Sequence, residues 1–399
     1  MSYLYRSVNA VISPELMRDL ALGPAALGLL TSAYFLAFAA VQLPAGMLLD
    51  RHGPRRVEPL VLAVGGIGAL SFAVADTLSG LVVARALIGA GVAVCLMAPL
   101  KGVALWVPRD RQASVAGWIM TAGSAGALVA TTPTEFALRY VNWRVLFVAL
   151  ALLTFAVALW IWFAVPDTKR HAGSAAGGSP WSGVRVVFAH PRFWWIAPLL
   201  ACCMGSFFAI QGLWSMPWLI EVNGYNRAVA ARHLLWMGVG MFGGFLGLGL
   251  FATRVARRGL RSCHLFAIGF AVSIAALAVI FAQVPGTYVW WTVYGLGAST
   301  NILAFTVLNE GFAPELAGRA NTALNLFAFG GGFVAQWGIG LVVDAARAAL
   351  HIDAAGGLKI AFSLVLLLDL LSYAWFAWGW RRHASLAQAP VAVDAASGR

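Results

Sequence analysis

Residues Gly46–Arg56, "GMLLDRHGPRR", decide how this chain is read. They place one acid, two glycines and three arginines in a short connection between two long apolar runs. A weaker copy, "ARRGLR", lies at 256–261, so that Arg51, Gly53 and Arg55 fall on Arg257, Gly259 and Arg261 at an offset of 206. At the same offset Gly89 and Gly91 fall on Gly295 and Gly297, deep inside other apolar runs. One shift that matches both a loop and a distant segment indicates two parallel repeats.

Composition fixes the solvent. Of 399 residues, 61% are hydrophobic and 11% are charged, and the mean hydropathy is +0.82. A soluble domain carries roughly 25% charged residues, so this chain cannot cover a water-facing surface and lipid must be its main solvent. The net charge of +12 does not indicate nucleic acid, because the cations sit in short clusters between apolar runs. The four cysteines, Cys95, Cys202, Cys203 and Cys263, contain no CxxC pair, so neither a disulfide framework nor a zinc site is expected. No basic stretch precedes a short apolar run with a small-residue cleavage site, and insertion therefore rests on the spanning helices.

Apolar runs long enough to cross a bilayer lie near 26–49, 57–76, 79–105, 113–138 and 145–165, then 193–220, 229–253, 262–283, 287–311, 319–345 and 358–380. The organisation expected is an N-terminal bundle over 1–165, a Gly/Ser-rich linker over 166–192, a C-terminal bundle over 193–382 and a disordered tail over 383–399. Arginines and lysines concentrate on alternate connections, including Arg51, Arg55, Arg56, Arg109, Arg257 and Arg381. That side, with the linker and the C-terminus, is expected to be cytoplasmic. The repeat offset also bears on the opening "MSYLYRSVNAVIS". The run near Phe193 projects back to about thirteen residues before Met1, so the opening is expected to be the outer half of a helix truncated at its inner end.

The pattern G-x-x-x-D-R-x-G-x-R-R is complete in Gly46, Asp50, Arg51, Gly53, Arg55 and Arg56. It resembles the signature loop of the major facilitator superfamily, and the resemblance covers nearly the whole chain. It implies an all-α integral membrane fold of two parallel six-helix repeats, with about eleven complete spans and one partial span. It further implies that Asp50 meets the free N–H groups opening the segment "GRANTALN", at Gly318 and Arg319, and so latches the outward-open state. Gly46 is expected to let two helices approach closely. In the echo the acid is replaced by Ala256, so the second half should lack this latch. "ARALIGAGVA" resembles a second superfamily motif through Arg85, Gly89, Gly91 and Ala93, which places Arg85 among the gating residues. The Gly-Pro pair of the drug antiporters is absent from "AGWIMTAGSAGALVATTPTEF", which lowers the weight of drug efflux.

Ionisable groups at bilayer depth are costly, at least about 2.5–3.5 kcal/mol on insertion scales, and they usually face a cavity. Arg6, Arg85 and Lys101 qualify in the N-terminal half, where few acids balance them; Glu135 lies toward the outer end of its run. An unbalanced cationic cavity suits an anion, and the guanidinium fork suits a carboxylate or phosphate. "YLYRSVN" resembles the Y-x-D-R-x-N segment of the anion:cation symporter branch. That resemblance carries Arg6 over as a substrate ligand with Asn9 beside it, although Tyr5 stands where the branch has an acid. Organophosphate exchangers also use first-helix arginines, which leaves anion exchange open. On the facing half, Gln211 and Trp214 in "FFAIQGLWSMPW" sit near a bend suggested by Gly212 and Pro217. By the repeat Gln211 corresponds to Tyr5 and Gly212 to Arg6. The substrate site is thus expected from Tyr5, Arg6, Asn9, Tyr34, Lys101, Gln211 and Trp214. Asn301, Asn321, Asn325 and Gln336 are amides that either join helices or touch substrate, and Asp369 is expected to be structural.

The function expected is secondary active transport of a small anionic metabolite across a bacterial inner membrane by a monomer, with a proton as a candidate coupling ion. Two alternatives stand beside it. Cys202, Cys203, Met204, Met216, Met237 and Met241 offer soft ligands that suit a copper importer, and the same scaffold can serve a non-transporting receptor. No metalloprotease, nucleophile-elbow or phosphate-loop motif is present, and no cofactor is called for.

Overall fold

Glycine and proline set the first turns. Ala21 closes α1 (Ser2–Leu20) in the left-handed region, and the Gly23–Pro24 step opens α2 (Pro24–His52). A single residue, Gly53, separates α2 from α3 (Pro54–Val74). Its φ of 79° and ψ of 164° lie in a region that glycine alone occupies readily, which explains this position of the signature loop. The computed structural model describes residues 1–166, 186–257, 262–312 and 314–382.

The N-terminal helices continue with α4 (Leu78–Gly91), α5 (Met97–Trp106), α6 (Arg109–Val129), α7 (Thr132–Ala137) and α8 (Trp143–Ala164). Thr77 caps α4 by accepting from the Gly80 N–H at 3.2 Å, and Asn142 caps α8 by accepting from Val145 at 2.9 Å. The C-terminal helices are α9 (Pro191–Ala209), α10 (Arg227–Arg257), α11 (Ser262–Phe281), α12 (Thr287–Ala298), α13 (Leu303–Asn309), α14 (Pro314–Leu350) and α15 (Ala354–Arg382). Beyond Ala209 the chain continues through two π-helical turns, Ile210–Trp214 and Trp218–Val222, on either side of Pro217.

Eight of the described helical segments are long and apolar enough to cross a membrane. Three runs expected to be continuous are interrupted. The 79–105 run breaks at 92–96, the 113–138 run breaks at 130–131, and the 287–311 run passes through a 3₁₀ turn at Ser299–Ile302. The opening segment is helical over nineteen residues, further than its polar stripe indicates. Most of the expected linker, residues 167–185, and the whole expected tail, 383–399, lie outside the described residues; residues 186–189 are helical.

Large apolar side chains such as Leu152, Leu159, Trp160 and Phe163 on α8 point outward, as lipid-facing positions do. The two sets of helices meet along α2 and α14. Ala25 donates from its backbone to Asp344 at 2.9 Å, Phe38 stacks on Phe329 at 4.1 Å, and Asn325 donates to Gln42 at 2.9 Å. At the end remote from the Arg51–Arg56 loop, Arg227 pairs with Glu15 and also donates to the Val11 carbonyl at 2.9 Å. Thr132 reaches the Ala231 carbonyl at 3.4 Å beside them.

The motif glycines divide by their surroundings. A Cβ on Gly89 would lie 2.2 Å from the Tyr34 carbonyl oxygen, and one on Gly91 would lie 2.1 Å from the Gly65 nitrogen. Gly295 and Gly297 make matching approaches, to the Met237 and Gly269 carbonyls. Gly46 does not behave as expected: nothing described lies within 4 Å of its Cβ position, so it brings no pair of helices together here.

Candidate functional site

α1 brings Arg6 to the place where it crosses the first π-helical turn. A Cβ on Gly212 would lie 3.3 Å from the Arg6 carbonyl oxygen and about 4 Å from the Gln336 amide (3.9 Å to its nitrogen, 4.0 Å to its oxygen). Arg6, Gly212 and Gln336, from α1, the π turn and α14, therefore share one layer between the two sets of helices. A side chain at Gly212 would press on that crossing, because the Arg6 carbonyl would have to give by a few tenths of an ångström. The π turn widens the helix by one residue, a distortion concentrated at functional sites in general.

Arg6 is 7% exposed, and its Nε has no hydrogen-bond partner. Among the described residues its guanidinium meets no carboxylate. It lies instead against two ring faces, Tyr3 at 4.3 Å and Phe208 at 4.5 Å. Arg85, fully buried on α4, donates from Nη1 to the Tyr5 carbonyl at 3.1 Å, while its Nε and Nη2 lack partners. The rings of Tyr34 and Phe72 each lie 5.7 Å from its Cζ. Two buried cations thus stand near one another's helices with donors unused.

The same layer leaves acceptors and donors open. Asn9 donates to Thr31 at 3.2 Å, but its Oδ1 is unpaired. Gln211 donates to the Met241 sulfur at 3.8 Å and leaves Oε1 unpaired. Gln336 is fully buried with both amide atoms unpaired, while its backbone carbonyl accepts from Trp214 Nε1 at 2.9 Å. Buried polar atoms without partners each cost about 1–3 kcal/mol and are uncommon. Arg6 Nε, Asn9 Oδ1, Gln211 Oε1 and both Gln336 amide atoms are among the buried polar atoms left without a partner.

Not every expected residue joins this layer. The Tyr5 hydroxyl turns to Thr154 of α8 at 2.8 Å, and its ring packs near Phe147. Tyr34 hydrogen-bonds Ser2 at 3.0 Å and lends its ring to Arg85. Lys101 is committed elsewhere: its Nζ donates to the Leu49 carbonyl at 2.7 Å, where it caps the end of α2. Its cation serves the signature loop and does not reach Arg6. In that loop Arg55 donates to the Trp162 carbonyl at 3.2 Å, while Arg51 is exposed. The Asp50 side chain lies outside the described residues. Gly318 and Arg319 sit a turn inside α14, which begins at Pro314, so the free N–H groups of that helix start belong to earlier residues than expected.

Phe208 and Tyr3 carried no signal beyond their spacing from Gly212 and Arg6, and the sequence reading passed over them. Asp369 accepts from Ser206 at 2.8 Å and ties α15 to α9, and both residues line a largely apolar cavity of about 620 Å³. Among the described residues no three or more of His, Cys, Asp and Glu group as metal ligands, and the Met241 sulfur is engaged by Gln211.

A profile described as Major Facilitator Superfamily matches residues 1–336. The hexuronate transporter of Escherichia coli K12 is 27% identical over 173 residues, which is 43% of this chain and 40% of that protein. The galacturonate transporter of Dickeya chrysanthemi is 24% identical over 260 residues, 59% of this chain and 73% of that protein. The chain thus spans about two fifths of the length of the hexuronate transporter it matches. Among solved structures, a bacterial homolog of the human lysosomal transporter Spinster, inward-facing and occupied, superposes with a TM-score of 0.76 at 17% identity, over 98% of this chain and 96% of that one. A D-xylose–proton symporter gives 0.71 at 15% identity, over 94% of each chain. The chain belongs to the major facilitator superfamily of membrane transporters.

Proposed function

We propose that the chain is a secondary active transporter that moves a small organic anion by alternating access, with Arg6 as the ligand for the anion's carboxylate. One observation carries the reading: a buried guanidinium without a carboxylate partner among the described residues, at the layer where the two sets of helices meet. A bare cation there is costly, and a bidentate carboxylate both neutralises it and occupies its unused donors. Asn9, Gln211 and Gln336 would then meet the substrate's neutral hydroxyl or carbonyl groups. Arg85 would organise the site from behind through the Tyr5 carbonyl. The hexuronate and galacturonate transporters among the relatives handle acids of this chemistry, which supports sugar acids as first candidates. The Arg51–Arg56 loop faces the cytoplasm in this reading, and helices up to Ala164 rock against those from Pro191 onward.

The test is uptake of labelled galacturonate and glucuronate into proteoliposomes, with and without a proton gradient. Arg6→Ala is expected to abolish saturable uptake while the purified protein keeps its elution volume and helical content. Uptake by that variant at the wild-type rate would overturn the assignment.

A further inference from the structure

Phe208 is shared between two structures. One is the Arg6 cation, whose Cζ lies 4.5 Å from the ring centre. The other is a group of rings that bridges the two sets of helices. Phe208 of α9 stacks on Phe35 of α2 at 5.3 Å and 13°, and lies 5.2 Å from Phe329 of α14. Phe329 in turn stacks on Phe38 of α2. A Cβ on Gly332 would lie 3.1 Å from Phe208 and 3.4 Å from Phe35, so the rings are wedged with little slack. Phe208 is one turn before Gly212, and Phe329 two turns before Gln336. The ring group therefore sits on the signature-loop side of the Arg6 layer.

A ring face gives a cation part of the compensation that a carboxylate gives in full. We propose that Phe208 is a positioning residue that holds Arg6 in the empty protein and couples arrival of an anion to release of the Phe35–Phe38–Phe208–Phe329 plug. This rests on the reading of Arg6 as the anion's ligand. When a carboxylate takes the guanidinium fork, the attraction between Arg6 and the Phe208 ring is screened. The ring then moves with α9, whose next residues form the π turn, and the stack across the two sets of helices loosens. The ring competes with substrate for Arg6 and reports its arrival to the gate.

The experiment uses the full chain in lipid nanodiscs, with galacturonate as the probe, and measures binding and transport rate separately. Phe208→Leu removes the ring face and keeps an apolar filler. It is expected to bind galacturonate about three- to tenfold more tightly, while the rate at saturating substrate falls at least about fivefold. Phe208→Tyr keeps the ring and should match wild type in both. Should Phe208→Leu not fold, Phe35→Leu leaves the Arg6 contact in place and loosens the stack. Because the coupling is reciprocal, it is expected to bind galacturonate at least as tightly as wild type with a lower rate, and weaker binding there overturns the proposal. If Phe208→Leu leaves affinity and rate unchanged, or weakens binding, the coupling is overturned even while Arg6→Ala abolishes binding. If wild type fails to bind galacturonate, or Arg6→Ala binds it as wild type does, the anion reading falls first and this proposal with it.

Discussion

Arg85 holds the backbone carbonyl of Tyr5 at 3.1 Å, and so pins the residue that precedes Arg6. The cation that sequence reading placed among gating residues thus acts on the position of a neighbouring cation. Its Nε and Nη2 remain unpaired, so Arg85 is costly to the empty fold. Arg85→Leu is therefore expected to fold with unchanged or higher thermal stability, since apolar replacements of buried charges are often neutral or stabilising. Uptake should fall at least about tenfold, because the Tyr5–Arg6 backbone loses a charge-assisted hydrogen bond of about 1.5–3 kcal/mol. A melting scan beside an uptake assay decides it; lost stability with normal uptake per folded molecule would make Arg85 a packing residue.

Gln336 offers the same separation on the facing side. Both of its amide atoms are buried and unpaired, so Gln336→Leu removes two unsatisfied groups at nearly constant volume. The empty protein should melt at the same or a higher temperature, while affinity for a hydroxylated acid drops about tenfold. Equal loss of affinity for an acid without hydroxyl groups would show that the amide does not read them.

Glu15 and Arg227 join the two sets of helices at the end remote from the signature loop, and Arg227 also holds the Val11 carbonyl. Both side chains are partly shielded from solvent, so the pair should be worth more than an exposed one, about 1 kcal/mol or more. Glu15→Gln is expected to widen the distance between spin labels placed across that end. The exchange Glu15→Arg with Arg227→Glu should bring it back toward the wild-type value. Unchanged distances in the single variant would show that this pair does not hold that end together.

The two glycine motifs should respond in opposite ways. Gly91→Ala would drive a methyl group to 2.1 Å from the Gly65 nitrogen, and Gly89→Ala to 2.2 Å from the Tyr34 carbonyl oxygen. Either should lower folded yield severely, since backbone on both sides cannot yield cheaply. Gly46→Ala meets nothing described within 4 Å and should be neutral or stabilising by about 0.5–1 kcal/mol. Detergent-solubilised yield and melting temperature test all three, and a damaging Gly46→Ala would restore the close-approach reading.

Hydropathy, charge placement and the "GMLLDRHGPRR" turn determined that this chain is a helical membrane protein of its superfamily, because apolar length and loop cations respond to the bilayer along one dimension. They also singled out Arg6 and Arg85, since an ionisable residue in an apolar run stands out wherever it folds. What they could not determine is which side chains converge. Lys101 reads like Arg6 in the sequence, yet it caps α2, while Tyr5 turns into its own set of helices and Phe208 arrives from 202 residues away. Those outcomes depend on helix rotation, on the π turn after Ala209 and on the approach that Gly212 permits. They are set by packing between distant segments, which no local pattern encodes.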